Sequence, residues 1–326
     1  MNFELDDDQR AAAAGARDFF AGSASPADAR RALEGGAVTP GRKALADIGF
    51  LGITVPEDAG GAGSSVLDLA VVAEQAGAVL AGPSLVTAAR AAVLLAGHPD
   101  LLAALADGST GYAVLDGTSP AIDAVGAEAF LALEDGALVL GAGEVTTGEP
   151  LDATRGLGSV RLTSRRVLAE DAAARWTRAR DVALVVLAAE DLGAAGRAVQ
   201  LGIGYAKERT AFGRQIGSYQ AVKHALVDAW VGVEQLRSLV WWAAWAADAA
   251  PDELPLAAAS AKAFAAETLE RAAETCIQVH GGIGFTWEHD AHLYWRRAKV
   301  DRFLLGDEAE HLDTVAGLVL SGALSR

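Results

Sequence analysis

Apolar residues recur at helical spacing along most of this chain, broken by short stretches rich in Gly, Pro and acids. A stripe at i, i+3, i+4 and i+7 gives a helix one face to bury. Residues 5–108 read as helices throughout. Asp6 to Asp8 supply a cap for a first helix running through Phe20. Pro26 and Pro40 mark later starts, Pro56 and the Gly-rich run 60–63 mark a loop, and Val66 to Leu80 and Ser84 to Gly97 are two further helices. Between about Gly108 and Leu168 the period changes. The runs YAVL (112–115), AFLALEDGALVLGAG (129–143) and GSVRLTS (158–164) alternate with turn signals, and EDG at 134–136 suits a hairpin turn. From Ala172 the helical period returns, with helices near 172–208, 217–248, 253–280, 288–301 and 307–322. Long helices with short connections pack as a bundle. The pattern predicts a mainly α protein in three parts: an N-terminal helical domain (1–108), a small β domain (109–171) and a C-terminal four-helix bundle (172–326).

Composition narrows the functional classes. The chain is 52% hydrophobic, with abundant Ala and Gly and little Lys. No apolar run approaches the roughly 18–20 residues that span a bilayer, and the longest, such as Leu239 to Ala247, stop at a charge. The apolar excess predicts burial between helices and between subunits. Trp230, Trp241, Trp242 and Trp245 recur on one helix and read as core or interface packing. A net charge of −16 argues against nucleic acid, which selects a basic face. A single cysteine, Cys276, excludes an intrachain disulfide and reads as a small buried hydrophobe. His280, His289 and His292 crowd one region without the ligand set of a zinc site, so no metal is expected. The N-terminal MNFELDDDQR is acidic and lacks a signal-peptide profile, so the expected location is cytoplasmic.

The chemistry concentrates in two segments. In QVHGGIGFTWEHDAHLYWRRAK (278–299), Gly281, Gly282 and Gly284 let the backbone take positive φ and approach a ligand, and the helix start that follows suits a phosphate. By itself this run reads more readily as a helix stop. The second segment, YAKERTAFGRQIGSYQ (205–220), places Arg209, Phe212, Gly213 and Gln220 between two helices. Together the two closely resemble the C-terminal domain of the acyl-CoA dehydrogenase flavoprotein family. LADIGFLGITVPEDAGGAGSSVLDLAVVAEQAG (45–77) resembles a segment of that family's N-terminal domain. The resemblance implies the acyl-CoA dehydrogenase fold. It also implies FAD contacts at Arg209, Phe212, Gln220, Gln278, Gly281 and Gly282, made to the flavin of a neighbouring subunit across a dimer interface. The three histidines would be loop hydrogen-bonders or neighbours of the pyrophosphate.

Desaturating an acyl thioester needs a base for the proton next to the carbonyl and a flavin for the hydride from the β carbon. The base is a carboxylate whose basicity rises in a dry pocket. The family's usual base position falls here on Leu305, followed by Gly306, and its alternative on Ala183. The family's T-E-P-x-x-G-S-D and W-x-x-x-G-x-K segments, which cover the flavin ring and thioester, are absent, and the β domain is shortened. Glu190 and Asp191 lie in the apolar helix VALVVLAAEDLGAAG, with Glu190 two turns from Ala183 on the same face. Glu190 is the best remaining base; the alternative is a helix-interface carboxylate paired with an Arg from another element, or a simple solvated position. Glu288 reads as a holder of its loop or helix start, and Asp307, Glu308 and Glu310 as helix-capping acids. This pattern resembles the short subunit of actinobacterial heteromeric (α2β2) acyl-CoA dehydrogenases, whose members act mainly on steroid side-chain and other bulky CoA thioesters. The implied reading is FAD-dependent α,β-desaturation of an acyl-CoA, with the flavin site shared with a full-length partner subunit in a heterotetramer and the electrons passed to an acceptor flavoprotein. Two alternatives stand beside it: a homo-oligomer using Glu190 as base, and a structural subunit without flavin.

Overall fold

The computed structural model describes residues 4–322; residues 1–3, which open the acidic N-terminal stretch, and 323–326 lie outside the described residues. Six helices come first: α1 (Asp7–Ser23), α2 (Pro26–Leu33), α3 (Arg42–Asp47), α4 (Val66–Ala78), α5 (Leu85–Leu94) and α6 (Pro99–Ala106). Their starts follow the capping chemistry. The Asp6 carboxylate accepts from the Gln9 N–H at 2.8 Å, and the Gln9 side chain accepts from the Asp6 N–H at 3.1 Å. Ser65 and Asp68 form the same reciprocal box at α4.

Six strands follow: β1 (Tyr112–Leu115), β2 (Ala129–Glu134), β3 (Ala137–Gly141), β4 (Gly143–Thr146), β5 (Ser159–Leu162) and β6 (Arg166–Ala169). One sheet has the order β1-β2-β3-β6, with β1 parallel to β2 and the other pairs antiparallel; β4 and β5 form a separate ribbon. Asp135 and Gly136 both take positive φ, +49° and +84°, as a two-residue hairpin turn requires. The strands β4 and β6, four residues long and half exposed, fall largely outside the runs read from the sequence.

The remainder is helical: α7 (Ala173–Glu208), a small hairpin β7 (Thr210–Ala211) and β8 (Arg214–Gln215), α8 (Gln220–Ala249), α9 (Leu254–His280), α10 (Ala291–Asp301) and α11 (Glu308–Leu320). The bundle has three long helices, α7 to α9, closed by the shorter α10 and α11. α7 is the axis of the molecule: every residue from Val182 to Ala195 is buried, which accounts for an apolar run that only Glu190 and Asp191 interrupt. It touches α4 backbone to backbone. A Cβ on Gly77 would stand 1.9 Å from the Glu190 carbonyl oxygen, and one on Gly193 1.8 Å from that of Glu74. Trp241, Trp242 and Trp245 pack half-buried against the core, while Trp230 is 38% exposed. Among the described residues, no helix is long and apolar enough to cross a membrane.

Candidate functional site

The up-down-up course of α7, α8 and α9 brings the end of α7, the β7–β8 hairpin, the start of α8 and the end of α9 to one end of the bundle. The rings of Tyr205 and His280 lie 4.4 Å apart there, and the His289 ring lies tilted against His280 at 4.1 Å. Arg209, Phe212, Gln220, Gln278, Gly281 and Gly282 all lie at this end, and all are exposed. Phe212 is 96% exposed and sits at the hairpin tip with φ +51°, a conformation a bulky residue rarely holds. Gly281 has φ +65°, and a Cβ on Gly281 or Gly282 would meet nothing within 4 Å. These glycines therefore serve a backbone course and an open approach, not packing within the chain. A guanidinium, two amides and bare backbone suit a phosphate-bearing group that arrives from outside, such as FAD.

The histidines are tied locally. His280 Nδ1 donates to the Cys276 carbonyl at 2.7 Å, His289 Nδ1 accepts from the Ala291 N–H at 3.1 Å, and His292 Nδ1 accepts from Arg296 Nε at 3.3 Å. Burial, with Arg296 and Arg30 nearby, holds His292 down to about 4. Glu288, expected to hold this loop, is exposed. His289 and Asp290 take that part instead, His289 by accepting from the first N–H of α10 and Asp290 by pairing with Arg30 at 2.5 Å. Burial pushes the Cys276 thiol up to about 12, which leaves it inert. Among the described residues, no three His, Cys, Asp or Glu side chains gather as a metal site.

Leu305, which the sequence reading expects at the base position, lines a cavity of about 720 Å³ between α5, the loop after β1, α7 and the α10–α11 turn. Leu305 holds φ +58°, and its carbonyl accepts from Arg180 at 2.8 Å and His311 Nε2 at 3.0 Å. Each acid on the wall is engaged. Asp116 pairs with Arg90 at 2.6 Å, Glu310 with Arg180 at 2.6 Å, and Asp307 caps α11 at 3.0 Å. The polar wall residues Arg90 and Arg180 carried no motif that sequence reading could single out. Ala183 is wholly buried and offers no acid.

Glu190 lines neither this cavity nor the 300 Å³ one on the far side of α5. It is 2% exposed and accepts from Ser84 Oγ at 2.9 Å, from the Leu85 N–H at 3.0 Å and from Arg155. It thus caps α5 and answers a buried cation, and its lone pairs are turned to partners within the core. Arg155 also donates to Asp301, through Nε at 2.8 Å and through Nη2, while Arg297 donates to Asp152 at 2.5 Å and to Thr154. Burial works against the Arg155 charge, yet Asp301 and Glu190 beside it hold its pKa well above the ordinary value. The network joins α5, α7, α10 and the segment before β5.

Residues 6–101 match the acyl-CoA dehydrogenase N-terminal domain and residues 162–320 the acyl-CoA dehydrogenase C-terminal domain. The chain belongs to the acyl-CoA dehydrogenase family. Acyl-CoA dehydrogenase IpdE2 of Mycobacterium tuberculosis is 38% identical over 274 residues, covering 81% of this chain and 81% of IpdE2. Among solved structures, the ChsE4-ChsE5 complex from Mycobacterium tuberculosis aligns with a TM-score of 0.87 at 25% identity, over 98% of this chain and 99% of the matched one. A variant of the Tcur3481-Tcur3483 steroid ACAD aligns with a TM-score of 0.82 at 28% identity, over 97% and 99%.

Proposed function

We propose that this chain is one subunit of a heteromeric acyl-CoA dehydrogenase, a heterotetramer in which it completes the FAD site of a full-length partner subunit. The assembly would desaturate a bulky acyl-CoA thioester, with a steroid-derived acyl group the first candidate, and pass its electrons to an acceptor flavoprotein. The observation that carries the reading is Leu305: a family member with leucine at the base position, and every acid around it engaged, needs its base from another chain. Two of its structural neighbours bear the names of pairs of proteins, and one of them is called a steroid ACAD. The three-part division 1–108, 109–171 and 172–326 is proposed with it.

When bound, FAD supplies the hydride acceptor. This chain's residues bind and orient. Arg209 would hold phosphate oxygens through its fork of N–H donors, and Gln220 and Gln278 would add amide hydrogen bonds. Gly281 and Gly282 would let backbone N–H groups come close, and the exposed Phe212 would cover apolar surface of the group or of the partner. Glu190 is given a structural part here, as an interface carboxylate, and the homo-oligomeric reading that makes it the base is set second.

The test is to express the chain alone and together with a full-length acyl-CoA dehydrogenase subunit, then to measure assembly mass by sedimentation and flavin absorbance per chain. We expect co-purification of a yellow heteromer with an interface above about 1,000 Å². A yellow chain that turns over acyl-CoA alone would replace this reading with the homo-oligomeric one. A colourless chain in a colourless assembly would replace it with the flavin-free structural subunit.

A further inference from the structure

Next to Glu190 on α7 is an acid with no cation of its own. Asp191 is wholly buried, and neither of its carboxyl oxygens has a hydrogen-bond donor. Its carboxyl faces that of Asp301 within hydrogen-bonding reach. Two ionised carboxylates cannot keep that contact in a dry core, because both are negative and neither can donate. One proton between them converts repulsion into a hydrogen bond.

The surroundings select its owner. Asp301 accepts from Arg155 and lies 3.8 Å from Arg297 Nε, so its ionised form is already answered. Burial works against that charge, but Arg155 and Arg297 hold Asp301 below its ordinary pKa. Asp191 feels Lys262 and Arg155 only through space, and Lys262 Nζ is committed to the Asp301 carbonyl at 2.8 Å. Burial and the neighbouring Asp301 push Asp191 well up.

Charge balance agrees. Arg155, Lys262 and Arg297 are three buried cations. Around them are five buried carboxyls: Glu190 and Asp191 from α7, Asp301 from α10, and Asp123 and Asp152 from the segments flanking β2 to β4. Outside this set, Arg302 and His311 face Lys262. A buried cluster tolerates little net charge, so up to two of the carboxyls carry protons at neutral pH and below. Asp191 and Asp123 are the two that no cation bonds.

We propose that Asp191 keeps a proton through the neutral range and donates it to Asp301, so that this acid pair fastens α7 to α10 and, through Arg155, to the segment before β5. The device is alkali-sensitive. A group that binds its proton more tightly when folded stabilises the fold fully below its unfolded pKa, and that stabilisation is lost as pH rises through the folded value. Asp301 lies at the root of the turn that carries Leu305, so the pin also fixes the floor of the 720 Å³ cavity.

The test is carbon-13 NMR of the full chain labelled at aspartyl carboxyls, from pH 6 to pH 10, beside unfolding curves of the wild type and Asp191→Asn. The amide of Asn can still donate to Asp301 but cannot titrate. At pH 8 we expect one aspartyl carboxyl with a protonated shift, absent from the variant. The wild-type ratio of folded to unfolded should fall, relative to the variant, about tenfold per pH unit until Asp191 ionises. Absence of any protonated aspartyl carboxyl at pH 8 in the wild type overturns the proposal, whether or not the variant folds. So do parallel pH profiles for the two proteins.

Discussion

Replacing Glu190 by Gln separates a catalytic base from a structural carboxylate, because it keeps the shape and removes the charge. Three donors converge on this carboxylate: Ser84 Oγ, the Leu85 N–H and the Arg155 guanidinium. Gln can still offer one oxygen to Leu85, but its NH₂ must then face donors, and Arg155 loses one of its two buried counterions. Removing one partner of a buried ion pair costs about 3–5 kcal/mol. Asp301 still answers Arg155, so the low end applies, about 3 kcal/mol. For a chain of 326 residues, at about 2.1 cal/mol/K of unfolding entropy per residue, that lowers the melting temperature by roughly 4–5 °C. Thermal unfolding by circular dichroism measures this, and stopped-flow reduction of the flavin by acyl-CoA, in the co-expressed assembly and well below melting, measures the chemical step. We expect the melting shift with a reduction rate within about twofold of wild type. Loss of a general base costs about 10²–10⁴-fold in rate. A loss of that size with an unchanged melting temperature would refute the structural assignment and restore Glu190 as the base.

Arg209→Ala is expected to lower flavin occupancy of the assembly and leave the melting temperature of the isolated chain within about 1 °C, since the side chain is exposed; absorbance per chain reads the first and calorimetry the second. Gly193→Ala would drive a methyl group into the Glu74 carbonyl, where a Cβ stands only 1.8 Å away, and should cost at least the roughly 1–3 kcal/mol of an overpacked core; an unchanged denaturation midpoint would contradict the α4–α7 contact. Burial pushes Asp123 up to about 7, so it stabilises the fold most at acid pH and progressively less as pH rises toward 7. Asp123→Asn, which tolerates the φ of +57°, should remove that part of the pH dependence, and identical stability profiles between pH 4 and 8 would count against it.

The helices were legible because each carries its own signal. The caps of α1 and α4, Pro26 opening α2 and the apolar run of α7 are local, and they fixed most boundaries to within a few residues. Strands β4 and β6 were not, because four residues, half of them exposed, are too short a stretch for a period to stand out. The six residues at the bundle end were found by resemblance, and only the up-down-up topology brings them together. Glu190 and Asp191 stood out as acids in an apolar helix. Their partners did not, because Arg155 lies 35 residues from Glu190 and 146 from Asp301, and neither pairing leaves a periodic trace. The cavity wall escaped for the same reason: Arg90–Asp116 and Arg180–Glu310 are contacts between elements, not motifs.

The central claim is that this chain lends flavin contacts to a partner that brings the base. Anaerobic stopped-flow reduction by a bulky acyl-CoA, monitored at the flavin absorbance, tests it most directly when the assembly is compared with each subunit purified alone. The account predicts rapid bleaching in the assembly and none with this chain alone, which should carry no flavin to bleach. Bleaching by this chain in the absence of any partner would contradict it.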